Sequence, residues 1–345
     1  MVKLRKRGEV IRQFILENTQ KYPSDIVQVA SKKFDISRQA VNKHVQFLVK
    51  QQAISISGAT KSRRYSLCPL KELEKRYLID VELQEDVVWR NDVKVLLEDF
   101  PDNVIDVWSY CFTEMFNNAI DHSSGNYIFI KIIKTAVLTE INIHDDGEGI
   151  FKKIQRELAL LDESHAVLEL SKGKLTTDPS RHTGEGIFFS SRMVDDFQIL
   201  SGKTYFSHQH ADDHDWILER HKFQTGTSVF MKMKNNSSRS IKNIFDTYTS
   251  QDSYGFNKTV IPVQLVRYGD ELLVSRSQAK RLLYRIDKFT TVILDFDGIE
   301  SIGQAFADEI FRVFATNNKN IQLLHVNACK DVEKMIIHAI LNTES

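Results

Sequence analysis

Charge is distributed unevenly along this chain, and that limits its architecture before any motif is read. The first 70 residues hold 14 Lys and Arg against four acids, Glu9, Glu17, Asp25 and Asp35. The chain as a whole balances 46 basic against 46 acidic residues, so the remainder carries an excess of 10 acids that cancels the 14 − 4 surplus of the head. At 345 residues the chain is also too long for one ordinary domain, and two or three are expected. A basic head on an acidic body predicts a modular protein whose head meets a polyanion. Hydrophobic and charged contents of 42% and 27% are those of a globular chain rather than a disordered one. Cys68, Cys111 and Cys329 have neither disulfide nor metal-ligand spacing. No secretory leader or run of about 18 apolar residues is seen, so a cytoplasmic protein without membrane contact is expected.

The basic head spans residues 1–68. Val10, Ile11, Phe14 and Ile15 recur at helical spacing, and Ser24 is a candidate cap for a second helix with Ile26, Val27, Val29 and Ala30. Ser37 caps a third helix running to about Gln51, with Val41, Val45 and Leu48 on its apolar face. Arg38, Gln39, Asn42, Lys43 and Gln46 project from the other side, and these side-chain types read base edges and phosphates. Residues 54–57 and 64–67 alternate like two strands, and Arg63 and Arg64 stand at the basic tip between them. A hairpin after the third helix looks like a winged helix-turn-helix, with double-stranded DNA as the partner. A head used for protein contacts, including dimerisation of two copies, is the alternative. Residues 69–107 read as a charged helical connector.

The next stretch is richest in chemistry. Glu114 and Asn118 lie four apart in a helical run, so both project from one face. A carboxylate there can orient or deprotonate a water. An amide oxygen one turn on can complete the octahedron of a Mg²⁺ held mainly by phosphates and water. After two strands come Asp145, Gly147 and Gly149, in which Asp145 can accept from an exocyclic amine and the glycines let the backbone bend close to a ligand. Gly184 and Gly186 then precede a helical run whose N–H groups would seat a phosphate, and Gly226 and Thr227 open a last strand.

Glu-x-x-x-Asn, Asp-x-Gly-x-Gly, Gly-x-Gly and Gly-Thr, in that order over residues 105–234, resemble the sequence boxes of the GHKL family, which includes gyrases, histidine kinases and anti-sigma-factor kinases. The resemblance implies a Bergerat fold over residues 108–234: a mixed, mostly antiparallel sheet covered by helices on one face, binding ATP with Mg²⁺. It implies Glu114 as general base or water-orienting group, Asn118 as the Mg²⁺ ligand, and Asp145 at the adenine amine with Thr227 nearby through water. Gly147 and Gly149 would shape the adenine side, and Gly184 and Gly186 the phosphate side. Residues 151–183 would form a lid, with Lys174, Arg181 and His182 either touching phosphate or simply solvated. Residues 69–107 contain no His, so the phosphoacceptor helix of a histidine kinase is missing. His208, His210, His214 and His221 among Asp212, Asp213 and Asp215 match no strong metal spacing and read as a polar hairpin loop.

Residues 258–345 show a βαβαβα order and look like a STAS-like α/β domain, related to anti-sigma-factor antagonists. Those antagonists have Asp-Ser where this chain has Gly303 and Gln304, which removes the hydroxyl that a kinase would phosphorylate. Ser301 nearby reads as a solvated loop residue. The expectation is a multidomain α+β regulator in which Mg·ATP, only bound or also slowly hydrolysed, rearranges domains or protomers on DNA. A second copy of the chain and a protein docking on the STAS-like domain are further partners. A Ser/Thr kinase of the anti-sigma type and an ATP-driven nucleic-acid machine are the rival readings.

Overall fold

The computed structural model describes residues 2–175, 184–210, 214–250, 253–267 and 271–341. The head is built from α1 (Val2–Asn18), α2 (Ile26–Phe34) and α3 (Arg38–Lys50), followed by a hairpin of β1 (Ile54–Ser57) and β2 (Arg64–Leu67). Ile11, Ile15, Ile26, Ala30, Val41, Val45 and Leu48 face one another in its core. Ser37 caps α3 by accepting from the Ala40 N–H at 3.2 Å. The cap expected at Ser24 falls instead on Asp25, whose side chain makes no capping bond.

The charged connector holds a strand. Lys71–Leu78 (β3) pairs antiparallel with Tyr127–Lys134 (β4), and helix resumes only in the short α4 (Glu85–Val88) and the turns after it. Only Leu73 and Tyr77 of β3 pack on the core, while its charged residues line the sheet edge, a usual guard against edge-to-edge association. That thin apolar signal is why the segment reads as helix from sequence.

β3, β4, β5 (Leu138–Asp145), β7 (His214–Lys234) and β6 (Asp196–Gln209) form one antiparallel sheet in that order. In β5 Thr139, Ile141, Ile143 and Asp145 are buried and the residues between them are half-buried, so one face is covered. The cover comes from α5 (Asp102–His122), α6 (Ile150–Glu157), α7 (Glu163–Lys172) and α8 (Gly186–Met193). α5 buries Val104, Val107, Trp108, Cys111, Phe112, Met115, Phe116 and Ala119, a stripe at helical spacing. Each of its large side chains contributes roughly 1.5–3 kcal/mol by leaving water.

A bridge of α9 (Ile241–Tyr248) with the strand pair β8 (Thr249–Ser250) and β9 (Ser253–Phe256) leads into the last unit. There β10 (Lys258–Pro262), β11 (Thr291–Asp295) and β12 (Gln322–Val326) run parallel, a different sheet type from the antiparallel one before it. α10 (Arg276–Leu283), α11 (Gln304–Asp308) with its continuation to α12 (Ala315–Asn317), and α13 (Lys330–Leu341) supply the helices of this unit. One continuous apolar core runs from Val88 to Ala339, so the central and C-terminal units are fused rather than strung together. The head has its own core, but Val137 from the β4–β5 turn is buried within it. The chain is thus a multidomain α+β protein, and no helix among the described residues is long and apolar enough to cross a membrane.

Candidate functional site

A cavity of about 380 Å³ opens between α5, the end of β5, α6 and the start of α8, within the size range of small-molecule sites. Glu114, Asn118, Asp145, Gly184, Gly186 and Thr227 all line it, although they come from four separate stretches of chain. The four-residue spacing of Glu114 and Asn118 puts both on the cavity side of α5, as the helical period requires.

Asp145 ends β5 and is almost fully buried. Its Oδ1 accepts from the backbone N–H groups of Gly147 at 3.0 Å and Thr227 at 3.2 Å. Burial raises its pKa, and those two backbone hydrogen bonds oppose the rise. Thr227 in turn accepts from the Ile150 N–H through Oγ1 at 3.0 Å, which ties the first turn of α6 to β7. Gly147 and Gly149 are outside the cavity lining and act through the backbone. Gly149 starts α6 with φ at 93°, a left-handed conformation that favours glycine. Gly186 allows a close approach, because a Cβ there would collide with the Glu114 carboxylate. Gly184 accepts from the Leu175 N–H at 3.1 Å, so the two ends of the undescribed segment meet beside the cavity.

Several lining residues escaped the sequence reading: Ile143, Ile150, Ile154 and Val229 form an apolar wall, and Lys153 brings a cation. Lys153 Nζ donates to the His122 carbonyl at the end of α5 at 2.9 Å. Ile150, Lys153 and Ile154 stand at i, i+3 and i+4 after Gly149, the signal that could have found them. Lys174 does not line the cavity; its Nζ donates to the Lys288 carbonyl at 2.9 Å. Arg181, His182 and Thr183 lie outside the described residues, as do Asp212 and Asp213.

The His-rich stretch is no simple polar loop. His208 is buried and its Nδ1 lies 2.7 Å from Asp215 Oδ1, while Arg192 Nη2 donates to the other oxygen at 3.3 Å. Burial works to raise the Asp215 pKa, yet the Arg192 charge and the His208 hydrogen bond outweigh it and hold the carboxyl below its ordinary value. Among the described residues no three His, Cys, Asp or Glu side chains gather as a metal site.

On the head, Arg38, Gln39 and Lys43 are exposed on α3 and Asn42 is half-buried. Arg38 Nη2 donates to Gln28 Oε1 on α2 at 3.1 Å. Arg63 and Arg64 are exposed at the hairpin end, where Ser57 pairs with Arg64. In the C-terminal unit Gly303 precedes α11 and Gln304 is exposed at its first position, with exposed Ser301 nearby.

Residues 278–333 match the family model of a STAS-like domain of unknown function (DUF4325), so the C-terminal part of the chain is STAS-like. No curated protein matches the chain.

Proposed function

We propose that this protein is an ATP-responsive DNA-binding regulator: a winged helix-turn-helix head, a GHKL-type Bergerat nucleotide domain and a STAS-like domain. The observation that carries the reading is the convergence of Glu114, Asn118, Asp145, Gly184, Gly186 and Thr227 on one cavity. The donor set suits Mg·ATP. A fixed carboxylate on an apolar wall fits an adenine amine, as Asp145 sits with Ile143, Ile150 and Val229. Asn118 would hold Mg²⁺ through its amide oxygen, and the α8 N-terminus at Gly186 would receive phosphate. Glu114, against Gly186, is positioned to orient a water. ATP supplies the phosphates and the phosphoanhydride; the chain orients them and shields one wall from solvent.

For the head, exposed Arg38, Gln39 and Lys43 on α3 beside the Arg63–Arg64 hairpin support duplex DNA as the ligand, with phosphate contacts providing most of the affinity. The test is a calorimetric titration of the full chain with Mg·ATP and Mg·ADP, with and without duplex DNA at fixed salt. Saturable Mg·ATP binding that GTP does not compete away is expected, since the Asp145 carboxylate facing position 6 of the purine accepts from the adenine amine and meets a second acceptor in the guanine carbonyl. Absence of nucleotide binding sinks the proposal.

A further inference from the structure

Three consecutive residues at the end of α7, Lys172 to Lys174, are held by the STAS-like unit and by the bridge leading into it. Lys172 Nζ donates to the carbonyls of Tyr284 at 2.8 Å and Arg281 at 3.3 Å, and it pairs with Glu169 at 2.5 Å in a buried ion pair. The Lys172 carbonyl accepts from the Thr259 hydroxyl of β10 at 2.8 Å. Gly173 lies so close to the Phe256 ring that a Cβ would sit 2.5 Å from it. The Lys174 carbonyl accepts from Lys288 Nζ at 3.4 Å and Arg285 Nη2 at 3.5 Å. The next residue, Leu175, donates its N–H to Gly184, and Leu175, Gly184 and Gly186 all line the cavity. Every residue from His165 to Lys172 is buried. A hinged cover would keep one face in water, so α7 is built as a fixed wall.

We infer that the STAS-like domain positions the phosphate-side wall of the nucleotide pocket, with Thr259 and Arg285 as positioning residues acting through Lys172, Lys174 and the Leu175–Gly184 bond. This rests on the nucleotide reading of the cavity and goes beyond it: the C-terminal domain becomes part of the affinity of the site. The path is contiguous and each link is a hydrogen bond or a packed ring, so a load on the C-terminal domain is felt at Gly184 and, by linkage, nucleotide is felt at the C-terminal domain.

The experiment uses the full chain with Thr259→Val, which keeps the shape and removes the donor, and Thr259→Ser, which restores it. Thr259→Val should weaken Mg·ATP by about five-fold and Thr259→Ser should stay within about two-fold of wild type, the scale of one net hydrogen bond. Loss of general packing would not be rescued by the serine hydroxyl, so rescue separates positioning from mere stability. Arg285→Gln, on a half-exposed side chain, repeats the test should Thr259→Val fail to fold. Equal affinities across wild type, Thr259→Val and Arg285→Gln overturn the inference. Hydrogen exchange at the Leu175 amide distinguishes the two levels. Faster exchange in Thr259→Val, in a protein that binds no Mg·ATP, would uphold the anchoring and remove the nucleotide reading; unchanged exchange would remove the anchoring.

Discussion

Asp145 answers to the fold and to the cavity at once. One of its oxygens organises Gly147 and Thr227, and the residue also forms part of the cavity wall. Asp145→Ala should therefore abolish Mg·ATP binding in the titration, because the amine acceptor and the turn are lost together. Glu114→Ala should bind Mg·ATP as wild type does and release no phosphate; unchanged turnover would remove its role. Gly186→Ala should weaken binding, because the added Cβ collides with the Glu114 side chain and pushes the α8 N-terminus away from the phosphate seat. His165 gives a separate, pH-based prediction. Burial, helped by the charges of Lys172 and Arg281, lowers its pKa from 6.5 to about 4. As pH falls below 6.5 the unfolded chain takes up a proton that the folded one refuses. Stability present above that pH is lost progressively down to about 4, by up to roughly 3 kcal/mol. Urea unfolding of wild type and His165→Leu between pH 7 and 4.5 checks this, and the variant should show the shallower fall. That Glu114, Asn118, Asp145, Gly184, Gly186 and Thr227 belong to one cavity was legible, because few other side chains serve at those spacings. Lys153 was not, since a lone lysine on an amphipathic helix looks like any solvated charge. His208 misled in the other direction: its polar neighbours hid the burial that Arg192, far off in sequence, makes affordable.

At the scale of elements, α3 and the hairpin were readable almost residue for residue. Cap, apolar stripe and alternation are all local there, and Ile54–Ser57 and Arg64–Leu67 pair as expected. Arg38→Ala with Lys43→Ala should weaken duplex binding and blunt any sequence preference. Arg63→Ala with Arg64→Ala should weaken all duplexes about equally and reduce the salt slope by about two. Fluorescence anisotropy across a salt series reads both. β3 was not readable, because its partner β4 lies some fifty residues on and only Leu73 and Tyr77 report the buried face. The burial of α7 was equally hidden, since what covers it arrives about a hundred residues later. At α11 the exposed Gln304 provides no hydroxyl, so incubation with ATP should leave no stable phosphate on the chain. Stoichiometric phosphate on Ser301 by mass spectrometry would instead favour a kinase.

For the whole molecule, a route between head and cavity runs through the sheet. The connector lies along the sheet as β3, and the head rests on the β4–β5 turn through Val137. β5 begins beside that turn and ends at Asp145, so one strand of about 24 Å spans the distance. If Mg·ATP alters DNA affinity, DNA must alter Mg·ATP affinity by the same factor. DNA affinity measured with no nucleotide, with ADP and with a non-hydrolysable ATP analogue would show it, and identical values would refute a switch. Val137→Ala should cost about 2 kcal/mol of head stability and loosen that coupling, read by melting and by the same affinities. The buried valine also says something about where such a protein can be cut. A fragment ending near residue 68 would leave behind the plug that closes its own interior, exposing a greasy socket in the head's apolar cluster. Transplanted to another body without that plug, the head should stick to itself and yield to proteases. The unit that evolution could shuffle is therefore the head together with a turn encoded some seventy residues away.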